Sequence, residues 1–192
     1  MRVGILALQG DVREHRLALE RLGAEVAEVR KPAELDEVDG LIIPGGESTT
    51  IGRLATLYGL IDPLRKHIRS GLPVYGTCAG MIFLASGVDG ASQPQLEVLD
   101  ATVRRNAWGR QNESFEASLD IDGLDEPFHA VFIRAPWIEQ VGDGVEVLAR
   151  WADHPVMVRE GSMLASSFHP ELTGDSRVHE LFLTMIESGE VA

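Results

Sequence analysis

Apolar and polar positions follow two regimes along the chain. In the first half, short apolar runs are separated by stretches with helical spacing. Residues 3–8 form a nearly continuous apolar run, which predicts a buried first strand. Asp11 then stands three residues before Glu14, as in a capping box. Val12, Leu19 and Leu22 share one helical face, and Gly23 marks its end. Residues 25–29 alternate toward a second strand, and residues 41–43 form a third, stopped by Pro44-Gly45-Gly46. Ser48 is the expected cap of a helix through Leu57. Asp62 and Pro63 open another helix, which Gly71 closes. Residues 72–75 predict a fourth strand and residues 79–85 a helix after it.

Strands alternating with helices of this length predict an α/β fold, a flavodoxin-like three-layer arrangement around a mostly parallel sheet. Ligands of such sheets bind beyond the carboxyl ends of the strands. The loops after Leu8, Ile43 and Tyr75 should therefore share one rim. The second half reads differently. Residues 98–103, 114–121, 130–134, 146–151, 156–159 and 163–168 are strand-like, with few helical signals between them. They predict hairpins and antiparallel additions to the sheet. An amphipathic helix over about residues 176–187 ends the pattern. No repeat, low-complexity tract or linker interrupts it, so a single domain over 1–192 is expected.

A formal net charge of −13 without a basic run argues against nucleic acid and anionic membranes as partners. It fits plain solubility or, more sharply, a basic protein partner. Cys78 is the single cysteine, which excludes an internal disulfide and suits a reducing, cytoplasmic setting. The first apolar run is too short for a signal peptide core, and no stretch approaches a membrane-spanning length.

The chemistry concentrates in three short segments. Gly76-Thr77-Cys78-Ala79-Gly80 lies between a predicted strand and a predicted helix. This is the G-x-nucleophile-x-G elbow with cysteine as nucleophile. The glycines keep Cβ atoms out of a tight turn, and a helix N-terminus favours the attacking thiolate. The bland alternative is a small buried hydrophobe. Phe168-His169-Pro170-Glu171 ends another predicted strand. Pro170 biases His169 toward extended backbone, where residues i and i+2 project from one side. Glu171 can then orient one ring nitrogen of His169 while the other faces Cys78, the logic of a nucleophilic triad.

None of the other five histidines has a carboxylate two residues on in an extended segment. His15 and His67, on predicted helices with mixed faces, are expected at the surface. One cysteine with scattered histidines lacks the spacing of a zinc site, so no metal is expected. The third segment, Pro44 to Thr50, carries two glycines that let the chain turn and present a bare N–H. The expected oxyanion donors are the N–H groups of Gly46 and Ala79. A phosphate loop is the rival reading, but the Gly-Lys-Ser/Thr of such loops is missing.

Together these segments resemble the class I (triad) glutamine amidotransferases. More narrowly, the chain is similar to the glutaminase subunits of pyridoxal 5′-phosphate synthases. Further stretches carry the likeness: residues 6–15, 44–50, 105–111 with 114–116, and 132–136, then Leu172-Thr173 leading to Arg177 and His179. Trp108 and Trp137 stand where the family has another aromatic. The resemblance implies hydrolysis of L-glutamine to L-glutamate and ammonia through a glutamyl thioester on Cys78. It implies L-glutamine bound near Gly46, Glu47, Ser48, Arg105, Ile133 and Arg134, and no cofactor. It also implies a barrel-fold synthase subunit as partner in a large hetero-oligomer. That partner uses the ammonia, a pentose phosphate and a triose phosphate to make pyridoxal 5′-phosphate, and the glutaminase is poorly active until it docks. Two alternatives stay open: a triad glutaminase serving another synthase, and a cysteine redox or stress protein of the same fold.

Overall fold

The structure is a computed structural model that describes residues 1–89, 93–105 and 114–189. The first half builds β1 (Arg2–Leu6), α1 (Val12–Arg21), β2 (Glu25–Val29), β3 (Gly40–Ile43), α2 (Ser48–Leu57), α3 (Ile61–Arg69), β4 (Val74–Thr77) and α4 (Ala79–Leu84). The second half builds β5 (Ala85–Asp89), β6 (Leu99–Arg104), β7 (Ser114–Leu119), β8 (Phe128–Ile133), β9 (Trp137–Val141), β10 (Glu146–Trp151), β11 (His154–Glu160), β12 (Met163–Ser166) and α5 (Arg177–Ser188).

The main sheet has seven strands in the order β10-β11-β12-β4-β3-β1-β2. From β12 to β2 every pairing is parallel, and β11 and β10 add antiparallel strands at one edge. β3 and β4 are buried throughout, as strands covered on both faces should be. Successive residues serve opposite layers. Leu41 and Ile43 pack with Ile51, Leu64 and Phe83 from α2, α3 and α4. Ile42 packs on the other face with Leu19 of α1 and Phe182 of α5.

Local details depart from expectation. Asp11 makes no side-chain capping bond at α1; its carboxylate turns toward His169 instead. α2 is capped by Glu47 and not by Ser48, the Glu47 side chain accepting from the N–H groups of Thr49 and Thr50. A 3-10 turn over Pro32–Glu37 was unforeseen. So were β5, which has a glycine and few apolar residues, and β9, which follows Pro136 and alternates poorly. β5 runs parallel to β6, and β9 completes a small three-stranded sheet. β7 and β8 form the expected hairpin.

Candidate active site

The parallel pairing of β12 with β4 decides the geometry, because it sets Ser166 against Thr77. The chain segments that leave these two strands carry His169 and Cys78. Beyond the ladder, the Cys78 amide donates to the Ser166 carbonyl at 2.7 Å. Cys78 takes φ 48°, ψ −101°, a conformation that L-residues rarely adopt, and α4 begins at the next residue. Space explains the flanking glycines. A Cβ on Gly80 would fall 2.0 Å from the Ile43 carbonyl oxygen, and one on Gly76 would fall 2.8 Å from the Gly80 carbonyl. The turn is thus the strained elbow expected from the pentapeptide.

His169 and Glu171 meet by a different route from the one expected. Pro170–Leu172 is a 3-10 turn and not extended chain. Pro170, with no N–H to satisfy, suits its first position. The turn still brings the side chains together, with His169 Nδ1 2.7 Å from Glu171 Oε1. The His169 amide donates to the Val131 carbonyl at 2.8 Å, which ties the segment to β8. Burial works against a charged His169, but hydrogen bonds with Asp11, Cys78 and Glu171 outweigh it and push its pKa up to about 12. Burial also pushes the Glu171 carboxyl up, against the pull of His169. The two directions compete for one proton. The 2.7 Å contact, with the Asp11 carboxylate a further 3.4 Å from the same nitrogen, favours placing that proton on the imidazole. With Nδ1 committed to carboxylates, Nε2 is the nitrogen left for the thiol.

The loop after β3 is held from the loop after β1. The Asp11 amide donates to the Gly45 carbonyl at 3.2 Å, and the Glu47 amide donates to Gln9 Oε1 at 2.7 Å. Gly46 has φ 152°, and a Cβ there would lie 2.5 Å from Gln9 Oε1. Burial raises the Glu47 carboxyl, yet hydrogen bonds from Thr50 and Thr49 hold it at about 2. Arg105 spans the loop, with Nη2 3.3 Å from Glu47 Oε1 and Nη1 3.1 Å from Gln93 Oε1.

These pieces enclose a cavity of about 370 Å³. Gly46, Glu47, Ser48, Cys78, Ala79, Arg105, Ile133, Arg134 and His169 all line it, while Glu171 stands behind His169. Gln9, Asp11, Ile82, Pro136 and Leu172 line it too, and sequence reasoning assigned them no role at the site. For Gln9 and Asp11 a signal was available, since the loop after the first strand belongs to the predicted rim. The stretch at 106–111 lies outside the described residues.

His15 is a correction of another kind. It is fully buried, as is His179, because the face of α1 that carries it packs inward with Ala18 and Leu19. His67, on α3, is partly exposed and bonds to Asp36 at 3.0 Å. Asp11, His169 and Glu171 offer ligand atoms within 4.8 Å of one another, but Glu171 and Asp11 both contact the same imidazole nitrogen, an arrangement that serves the ring itself. Among the described residues, no helix is long and apolar enough to cross a membrane.

Residues 5–188 match the SNO glutamine amidotransferase family. The chain is 63% identical over 190 residues to the "Pyridoxal 5′-phosphate synthase subunit PdxT" of Parafrankia sp., covering 97% of this chain and 94% of that one. It is 58% identical to the protein of the same name from Streptomyces coelicolor, covering 99% and 96%. A solved structure described as a glutamine amidotransferase superposes with a TM-score of 0.93 at 58% identity, covering 96% of this chain and 98% of that one. A putative GMP synthase subunit from Thermoplasma acidophilum shares the fold alone, with a TM-score of 0.72 at 19% identity over 98% and 94% of the two chains.

Proposed function

The chain belongs to the SNO glutamine amidotransferase family, and from that premise we propose that it is the glutaminase subunit of a pyridoxal 5′-phosphate synthase. The observation that carries this reading is the line of contacts from Glu171 through His169 to Cys78, opening on a cavity lined by Gly46, Glu47, Ser48, Arg105, Ile133 and Arg134. The pyridoxal 5′-phosphate synthase subunits at about 60% identity over nearly the whole chain supply the pathway.

In this reading the Cys78 thiolate attacks the side-chain amide carbon of L-glutamine. Negative charge develops on the carbonyl oxygen and is taken up by the N–H groups of Gly46 and Ala79, each donor worth ~10²–10³ in rate. His169 gives its Nε2 proton to the leaving ammonia, and a glutamyl thioester remains on Cys78. His169 then takes a proton from water, the hydroxide attacks the thioester, and L-glutamate leaves with the thiolate restored. Glu171 holds Nδ1–H throughout, so the ring keeps its tautomer and direction. Arg105 supplies positive charge suited to the substrate α-carboxylate. Glu47, already engaged as the cap of α2, supports the loop. The whole chain acts as one domain in the cytoplasm and passes ammonia to a synthase subunit in a hetero-oligomer.

Glutamate release from L-glutamine, measured with and without a pyridoxal 5′-phosphate synthase subunit, tests both halves. Strong stimulation is the expected result. Activity indifferent to that subunit would reassign the ammonia acceptor, and no glutamate in either condition would overturn the reaction itself.

A further inference from the structure

Two fully buried histidines lie behind the site, and the reaction above makes no use of them. His15 Nδ1 is 3.0 Å from His179 Nε2. On its other side, His15 Nε2 is 3.2 Å from Thr77 Oγ1 and 3.5 Å from Glu171 Oε2. That carboxylate oxygen is buried and without a hydrogen bond among the described residues, whereas Oε1 of the same group holds His169. A buried carboxylate oxygen needs a donor, and His15 Nε2 is the ring nitrogen that faces it.

The proton arrangement follows from these contacts. Burial lowers the pKa of both histidines, that of His179 to about 4, and for His15 the neighbouring His179 and His169 add to the effect. Each ring is therefore neutral with one N–H. A carboxylate only accepts, so a bare His15 Nε2 would set lone pair against lone pair. Thr77 Oγ1 can donate to this nitrogen or accept from it, so the carboxylate selects the tautomer with hydrogen on Nε2, and His15 Nδ1 then accepts from His179 Nε2–H. Helical spacing reinforces the geometry: Asp11 at the start of α1 and His15 four residues on lie on one face. They meet the His169–Glu171 pair at its two ends, on Nδ1 and on Oε2.

Resting on the glutaminase reading, we infer that His15, its tautomer fixed by His179, is a positioning residue that donates Nε2–H to Glu171 Oε2 and so orients the carboxylate that holds His169. The 3.5 Å separation is that of a resting site, and such bonds commonly tighten when the reacting complex forms. The competing view is that the two rings only satisfy each other and Thr77.

The test uses the full chain with its synthase subunit and L-glutamine as substrate. His15→Leu should lower kcat about 10- to 100-fold, the range seen when an outer hydrogen-bond partner of a metal-bound histidine is lost, and leave KM within about twofold. His15→Gln, whose amide can donate from a similar place, should recover most of the rate. His179→Leu should fall between them, because the His15 proton is then free to move to Nδ1. A second readout needs no turnover. The low-field proton resonance of His169 Nδ1–H should shift or broaden in His15→Leu and persist in His15→Gln. Wild-type protein that releases no glutamate would sink the glutaminase reading and leave this resonance to judge the inference. An unmoved resonance with wild-type kcat in His15→Leu would overturn it. So would equal rate losses in the Leu and Gln variants with the resonance unchanged. If His15→Leu does not fold, His179→Leu decides by the same readouts.

Discussion

The amide of Cys78 donates to the carbonyl of Ser166 at 2.7 Å, one step past the β4–β12 ladder that pairs Thr77 with Ser166. This bond locks the end of one parallel strand to the end of its neighbour. Residues nearly ninety positions apart in sequence thereby become fixed relative to each other within a hydrogen-bond length. The candidate nucleophile and base are positioned by sheet register and not by loops alone, the kind of rigid support that holds reacting groups in place.

If Cys78 is the nucleophile, replacing its sulfur should abolish turnover and spare the fold. Cys78→Ala is expected to cut glutamate release by at least ~10³-fold. Circular dichroism and thermal unfolding should be close to wild type, since alanine adds no atoms to the turn. Retained glutamate formation would remove the sulfur from the mechanism.

The elbow glycine is predicted to fail differently, by structure and not by chemistry. A Cβ on Gly80 would sit 2.0 Å from the Ile43 carbonyl oxygen, a backbone atom of β3 that cannot rotate away. Gly80→Ala should cost ~1–3 kcal/mol, as overpacking does, and should depress activity by displacing Cys78. Urea unfolding of this variant beside Cys78→Ala separates the two effects. Wild-type stability would show that α4 can shift without strain.

The contrast between these two variants marks what can be read from sequence. The elbow was legible because glycine at both flanks is a local steric requirement of a tight strand-to-helix turn. The parallel half was legible for a similar reason: apolar runs such as Leu41-Ile42-Ile43 need cover on both faces. The role of Glu47 as cap of α2 was not legible, because Ser48 is the better capping residue by local preference and only tertiary placement selects Glu47 over it. The burial of His15 was hidden for the same reason. Nothing local shows that His179, 164 residues away, supplies its partner. Asp11 fits a cap by spacing, and only the folded structure shows its carboxylate spent on His169.

Arg105 should matter for binding more than for the chemical step. Its guanidinium bridges Glu47 and Gln93 at the cavity wall. Lysine keeps the charge but not the planar fork. Arg105→Lys is expected to raise KM for glutamine about tenfold, the equivalent of ~1.5 kcal/mol, with a smaller change in kcat. A fall in kcat alone would move Arg105 from substrate binding to the catalytic step.

The charge on His169 leads to a prediction about stability against pH. Its folded-state pKa is raised from 6.5 to about 12, burial opposing and the bonds to Asp11, Cys78 and Glu171 prevailing. A raised pKa means that the folded protein binds the proton more tightly than the unfolded chain. The stabilisation is therefore fully present below pH 6.5 and is lost as pH rises toward 12. The stability gap between wild type and His169→Gln should narrow across that window in chemical denaturation. Asp11→Asn should end the narrowing at lower pH and make the total change smaller, because it removes one of the groups that raise the folded-state pKa. A gap that stays constant with pH would mean that His169 is neutral in the folded protein.

Arg134 lines the cavity at φ 42°, in the left-handed region that suits glycine. For an L-residue this conformation costs about 1–2 kcal/mol. Glycine would remove that strain but would add about 0.4–1 kcal/mol of unfolded-state entropy. Arg134→Gly should therefore be more stable than wild type by ~0.5–1 kcal/mol. Backbone strain of this kind gathers at ligand sites, and Arg134 lines the cavity. The same variant should accordingly bind glutamine more weakly, with KM raised and kcat changed less. Thermal unfolding and steady-state kinetics on one preparation decide between the outcomes. Higher stability with unchanged KM would leave the strain without a function. Lower stability would mean that contacts of the Arg134 side chain outweigh its backbone cost.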